Sequence, residues 1–274
     1  MKKFGVAITV FLLVVSFQNC SDQKLSASAS GGSNGAGGGP LNLGNTDDEA
    51  SGVVTQTGGP NCRNQLHSIT TPIKPVFVVD VSGSNKSTNN NQPGSDPDRV
   101  VRGDSIERFF NTYKAKTNFG WSFTTFAVSS ANVLLAMGNA ASMSNAIASF
   151  RKMGDAGETP YIAALNAAKA NIAGDSGRAP NTKYIVVFIS DGLPNPVVDQ
   201  SELNSKVTEI ISTLPAGSIS FNSIYYGAVD AQASERLRSM AQTGGGNFLD
   251  TNTNPTGTNF LITDLVIIPG VACN

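Results

Sequence analysis

The sequence predicts an α/β fold: a central, mostly parallel six-stranded sheet, doubly wound with helices on both faces. Three observations carry that prediction. Two runs, Val76-Phe77-Val78-Val79 and Tyr184-Ile185-Val186-Val187-Phe188-Ile189, are apolar without alternation, as strands buried on both faces are. Segments of helical period separate the β-like stretches, which is the pattern of strands joined by crossover helices. Each of the two apolar runs is closely followed by an aspartate, Asp80 and Asp191, at the end where ligands bind in open α/β sheets.

The elements follow in order. A strand over 76–81 leads through a polar loop to a helix over 98–116, with Val100, Val101, Ile106, Phe109 and Phe110 on its apolar face and Asp96 or Asp98 as its N-cap. Two β-rich segments, 120–128 and 132–137, are separated by a Ser-Ser turn and suit an antiparallel edge pair. Helices over 142–153 and 160–172 come next; the second opens on Pro160, whose missing N–H costs nothing in a first turn. The second buried strand covers 183–190. A helix over 199–213, a strand over 219–226, a helix over 231–241, a Gly244-Gly245-Gly246 turn, a short strand over 247–249 and a last helix over 258–267 complete one domain of about 210 residues.

Of 274 residues, 40% are hydrophobic and 14% charged, and the formal net charge is −1. That balance is ordinary for a globular core, and without a basic patch it excludes nucleic acid as a partner. Arg99, Arg102 and Arg108 are interleaved with Asp104 and Glu107 and read as a solvated helix face. The tripeptide Arg102-Gly103-Asp104 falls inside the same helix and reads as a chance string.

The N-terminal region does not look globular. Met1-Lys2-Lys3 and the apolar stretch over 6–16 have the form of an export signal, too short to span a membrane comfortably. The stretch runs into Phe17-Gln18-Asn19-Cys20-Ser21, which resembles the lipobox of bacterial lipoproteins, with Phe, Gln and Asn in place of the usual Leu and small residues. The resemblance implies a signal over 1–19, a diacylated Cys20 and, with Ser21 behind it, an outer-membrane location in the bacterial envelope. Residues 20–61 are rich in Ser, Gly and Asn and bury too little to repay ordering, so they read as a tether with a span on the order of 35 Å. The folded domain is assigned to 62–274.

Asp80-Val81-Ser82-Gly83-Ser84 places one carboxylate and two hydroxyls at a strand tip. Hard cations such as Mg2+ or Mn2+ take oxygen ligands of this kind and need neither cysteine nor histidine. With Thr159 in Gly154-Asp155-Ala156-Gly157-Glu158-Thr159-Pro160 and Asp191 in Ile189-Ser190-Asp191-Gly192, the pattern resembles the von Willebrand factor type A family. The metal-ion-dependent adhesion site of that family is D-x-S-x-S on the first strand, a Thr in a later loop and an Asp ending the fourth strand. Leu237 to Gly245 is similar to the helix and diglycine turn before the family's last strand. The resemblance, over about 75–268, implies that Ser82 and Ser84 bind the metal directly. Thr159, Asp80 and Asp191 would bind it directly or through water. Glu158 reads as a solvated neighbour. Two carboxylates roughly neutralise a divalent ion, leaving it electrophilic enough to take one more carboxylate from outside. Residues 85–97 form a longer connection than the fold requires, and read either as a surface insertion or as a loop that contacts the partner.

Three cysteines in an exported chain leave an odd thiol, which Cys20 resolves as the lipid site. Cys62 and Cys273 then bracket the domain and are free to pair in an oxidising envelope, as the termini do in some members of the family. The expected function is a metal-dependent binding or adhesion module whose partner is a protein or matrix ligand presenting Asp or Glu, with the membrane engaged only through the lipid anchor. An envelope assembly or scaffold factor using the same site is the alternative. A metal-dependent hydrolase would want a general base or an oriented nucleophile, and the single histidine, His67, precedes the domain without a recognisable partner motif; the chain is therefore read as a non-enzyme.

Overall fold

Side-chain alternation along the central strands sorts the core into two layers. Val76, Val78, Val186 and Phe188 face one side of the sheet, while Phe77, Val79, Ile185, Val187 and Ile189 face the other, and all are buried. The computed structural model describes residues 54–56, 71–86, 93–268 and 271–273. The signal segment, Cys20, Cys62 and His67 lie outside the described residues, as does most of the tether, and Cys273 is described as backbone only.

In chain order the elements are β1 (Val54–Gln56), β2 (Ile73–Asp80), a 3-10 turn (Gly83–Asn85), α1 (Val100–Tyr113), β3 (Trp121–Ala127), β4 (Ser130–Gly138), α2 (Ala140–Lys152), α3 (Tyr161–Ala173), β5 (Lys183–Ser190), α4 (Gln200–Ile211), β6 (Ile219–Tyr225), α5 (Ala231–Thr243), β7 (Gly245–Asp250), a second 3-10 turn (Gly257–Asn259), α6 (Ile262–Leu265) and β8 (Val271–Cys273). Six strands make one sheet in the order β4-β3-β2-β5-β6-β7, parallel except for the β3–β4 hairpin at one edge. β1, within the stretch read as tether, pairs in parallel with β8. Helices α1, α2 and α6 pack on the Phe77 side and α3, α4 and α5 on the Val76 side. Among the described residues no helix is long and apolar enough to cross a membrane.

The strand order determines where the site lies. From β2 the chain crosses to β3 on one side, adds β4, and then returns to β5 on the other side of β2. The connections leaving β2 and β5 therefore part in opposite directions, which opens a crevice at the carboxyl ends of these two strands. Val79 is in register with Ile189, so Asp80 and Asp191 emerge side by side at that crevice.

The structure departs from the sequence pattern in two places. The last helix is a 3-10 turn and then a single helical turn, Ile262–Leu265, rather than one helix over 258–267. Thr, Asn, Gly and Pro crowd residues 251–259, and their backbone-competing or conformationally restricted side chains leave little to propagate a helix. Arg102 and Arg99 are not on a solvated face: Arg102 is 0% exposed and Arg99 is buried. Burial of Arg102 and Gly103 likewise leaves the Arg-Gly-Asp tripeptide unable to present itself as a ligand.

Candidate metal centre

Asp80 is the last residue of β2 and is fully buried. Its carboxylate accepts from the Ser82 amide at Oδ1 (2.7 Å) and from the Ser190 hydroxyl at Oδ2 (2.6 Å). The turn after it brings the Ser82 and Ser84 hydroxyls within 3.0 Å of each other, and the Ser84 hydroxyl donates to Asp191 Oδ1 at 3.0 Å. Asp80, Ser82, Ser84 and Asp191 thus form one cluster, as the sequence pattern anticipates.

Thr159 reaches the same place through backbone pairing. The loop that carries it is held to the β2 turn by Ala156 N–H to Val81 O and Gly83 N–H to Gly157 O, both 3.0 Å. Thr159 itself exchanges two backbone hydrogen bonds with Asn195, in the loop beyond Asp191, and is buried. The three segments carrying the five residues are therefore laced together by main chain. Glu158 is exposed, as expected of a solvated neighbour. Close approach also demands glycine: a Cβ on Gly227, just beyond β6, would fall 1.9 Å from the Asp191 carbonyl oxygen.

Several residues that support the cluster carry no motif. Ser190 is one, and Asn85 is another: it donates to the Ser82 carbonyl at 3.3 Å and accepts from the Tyr226 hydroxyl at 2.6 Å. Arg102 is the third. Its guanidinium donates to Asp96 Oδ2 (2.9 Å), to the backbone carbonyls of Asp80 and Asp96 (2.7 Å each) and to Asp155 Oδ1 (3.1 Å), between the rings of Phe150 and Tyr226. Arg99 pairs with Asp155 at 3.0 Å. Asp96 also caps α1, accepting the amides of Val101 and Arg102 at 3.0 Å each, while Arg99 takes the left-handed conformation just before the helix. The two ends of the 85–97 connection are drawn together by Gly94 N–H to Lys86 O, Ser95 N–H to Ser84 O and Asp96 N–H to Asn85 O. Residues 87–92 lie outside the described residues.

Four buried carboxylates, Asp80, Asp96, Asp155 and Asp191, thus face two buried guanidiniums, and the arginines pair with Asp96 and Asp155. Asp80 and Asp191 are left without a cationic side chain of their own. Burial, reinforced by the Asp191 charge, pushes Asp80 up to about 7. Burial also raises Asp191, against the pull of the Ser95 and Ser84 hydroxyls and the more distant Arg102. Asp191 Oδ2 is buried with no hydrogen-bond donor. An unpartnered carboxylate oxygen, a second raised carboxylate and adjacent serine hydroxyls form a donor set that fits a hard divalent cation.

No family model matches the chain, and no curated protein matches it in sequence. Solved structures do match in shape. A point variant of the PilB minor pilin from Streptococcus sanguinis aligns at a TM-score of 0.51 and 14% identity, over 69% of this chain and 59% of the pilin. The three N-terminal domains of the type V pili tip protein Mfa5 from Porphyromonas gingivalis align at 0.50 and 12%, over 69% and 48%. The SpRpn10 VWA domain aligns at 0.48 and 11%, over 69% of this chain and 98% of that domain. The chain thus spans little more than half of the pilin and less than half of the tip-protein fragment. The likeness to the pilin and to the tip protein is one of fold: a mostly parallel six-stranded sheet with helices on both faces.

Proposed function

We propose that this domain is a metal-dependent protein-binding module in which Asp80, Ser82, Ser84, Thr159 and Asp191 hold Mg2+ or Mn2+. The observation that carries the reading is the buried Asp191 Oδ2 without a donor, beside a second buried carboxylate that no cationic side chain neutralises. A bound divalent cation would supply an electrophilic position for a carboxylate from outside. The chain's own residues do the remainder. Asp80 and Asp191 balance the charge, the hydroxyls add oxygen ligands without further charge, and Arg102 and the backbone pairs keep the three loops in place. Hydroxyls engaged as ligands are not free as nucleophiles, and both carboxylates serve as charge partners, so the site is read as one for binding rather than catalysis. Lipidation at Cys20 and an envelope location belong to the same proposal and rest on the sequence pattern.

The test is calorimetric titration of the full chain with Mg2+ and with Mn2+. Asp191→Ala is expected to abolish uptake while leaving the circular dichroism spectrum unchanged; uptake that survives in Asp80→Ala and Asp191→Ala alike overturns the assignment.

A further inference from the structure

The loops at the carboxyl end of the sheet expose valine. Val128 (55%), Val197 (84%) and Val229 (87%) are exposed there, each contributed by a different connection, as is Val100 (54%) at the start of α1. Three of them adjoin the segments of the centre directly. Val128 packs on Gly157, where an added Cβ would sit 2.6 Å from Val128 Cγ2. Val197 lies two residues beyond Asn195, the backbone partner of Thr159. Val229 lies two residues beyond Gly227, which is in close contact with the Asp191 carbonyl.

Val128 adds an independent observation. It is the first of the two residues joining β3 to β4, and its φ is +58°. Only that position of the hairpin loop has positive φ, a place that favours glycine, and a β-branched residue there is strained by about 1–3 kcal/mol. The chain thus keeps a strained and exposed apolar side chain where a small residue would be more stable. The exposed charges of these loops, among the described residues, are Lys86 against Asp98, Glu158, Asp199 and Asp230. The rim therefore combines exposed valines with an acidic surplus, around a centre read as electrophilic.

We infer that the partner is an extended protein segment carrying a single Asp or Glu between aliphatic side chains, with the carboxylate on the centre and its neighbours on Val128, Val197 and Val229. The inference rests on the metal reading for the carboxylate and on the rim for the flanks. A second acid beside the first meets the acidic loops and is repelled; an aliphatic neighbour buries surface against the valines.

The experiment measures binding of immobilised full-length protein to short amidated peptides with a central Asp flanked on both sides by Leu, Ser or Asp, in Mg2+ and again in EDTA. The Leu-flanked peptide is expected to bind about tenfold tighter than the Ser-flanked one, and the Asp-flanked peptide most weakly. The Val197→Ser/Val229→Ser double variant is expected to lose that preference with its Mg2+ affinity unchanged. Val128→Gly is expected to raise the unfolding midpoint while weakening the Leu-flanked peptide. Equal binding of the three peptides, or a preference that survives in the double variant, overturns the inference. Mg2+ uptake without any flank preference leaves the metal reading standing and removes the rim. A flank preference that is the same in EDTA keeps the rim and removes the metal from recognition.

Discussion

The Tyr226 hydroxyl donates to Asn85 Oδ1 at 2.6 Å, joining the residue that follows β6 to the turn that carries Ser82 and Ser84. Asn85 passes the constraint on through its bond to the Ser82 carbonyl. Tyr226→Phe keeps the ring beside Arg102 and removes only the hydroxyl, leaving a buried amide oxygen without its donor. We expect a loss of about 1–2 kcal/mol in urea unfolding and a several-fold weaker Mg2+ affinity by calorimetry. A stability loss with metal affinity unchanged would place Asn85 outside the metal site's support.

Arg102 serves Asp96, Asp155 and the Asp80 carbonyl with one rigid fork. Arg102→Met leaves the Asp96 carboxylate buried without its cation and strips Asp155 of one of its two, and is expected to cost about 3–5 kcal/mol in urea unfolding. Arg102→Lys retains the charge but cannot reach three directions at once. We expect it to fold, with a smaller stability loss and weaker Mg2+ uptake than the unaltered chain. Unchanged stability in Arg102→Met would show that the cluster is not held as the geometry indicates.

The raised Asp80 gives the metal-free protein a characteristic pH dependence. A carboxyl whose folded value, about 7, lies above its unfolded value, near 3.8, favours the folded state while protonated. That stabilisation is complete below about pH 4 and is lost as the pH rises through about 7. Thermal unfolding in EDTA is expected to show a lower midpoint at about pH 8 than at about pH 5, and Mg2+ is expected to recover the difference at the higher pH. On the proposed reading the cation competes with the proton for these carboxylates, and Mg2+ affinity is then expected to rise across this interval. An EDTA midpoint that climbs from about pH 5 to about pH 8 would contradict the arrangement of charges.

The sheet and its two aspartates were legible because buried parallel strands leave unbroken apolar runs, and each run here ends in Asp80 or Asp191. Ser82 and Ser84 were legible for the same reason, through their fixed offset from a strand end. Arg102 was not. In the helical pattern it alternates with acids as a solvated arginine would, but it sits in the first turn of α1, and helical side chains lean toward the N-terminus. That lean carries its guanidinium past the helix end to the carboxyl edge of the sheet, where Asp80 and Asp155 wait. Ser190 and Asn85 belong to no motif, and only strand register and the Tyr226 contact give them a role. The final helix was overestimated because the closely set apolar residues over 260–268 mimic a helical stripe, while only Ile262–Leu265 close a helical turn.

β2 carries Asp80 at one end, and the N-terminal residues join it at the other, before Ile73. Any pull between a partner held at Asp80 and an anchor ahead of Ile73 would therefore run lengthwise down eight residues of a central strand. β3 and β5 flank that strand on both sides, and their cross-strand hydrogen bonds lie across the line of force. Such bonds are loaded together in shear rather than opened one after another, so on the proposed reading β2 would carry that load as a strand held on both sides.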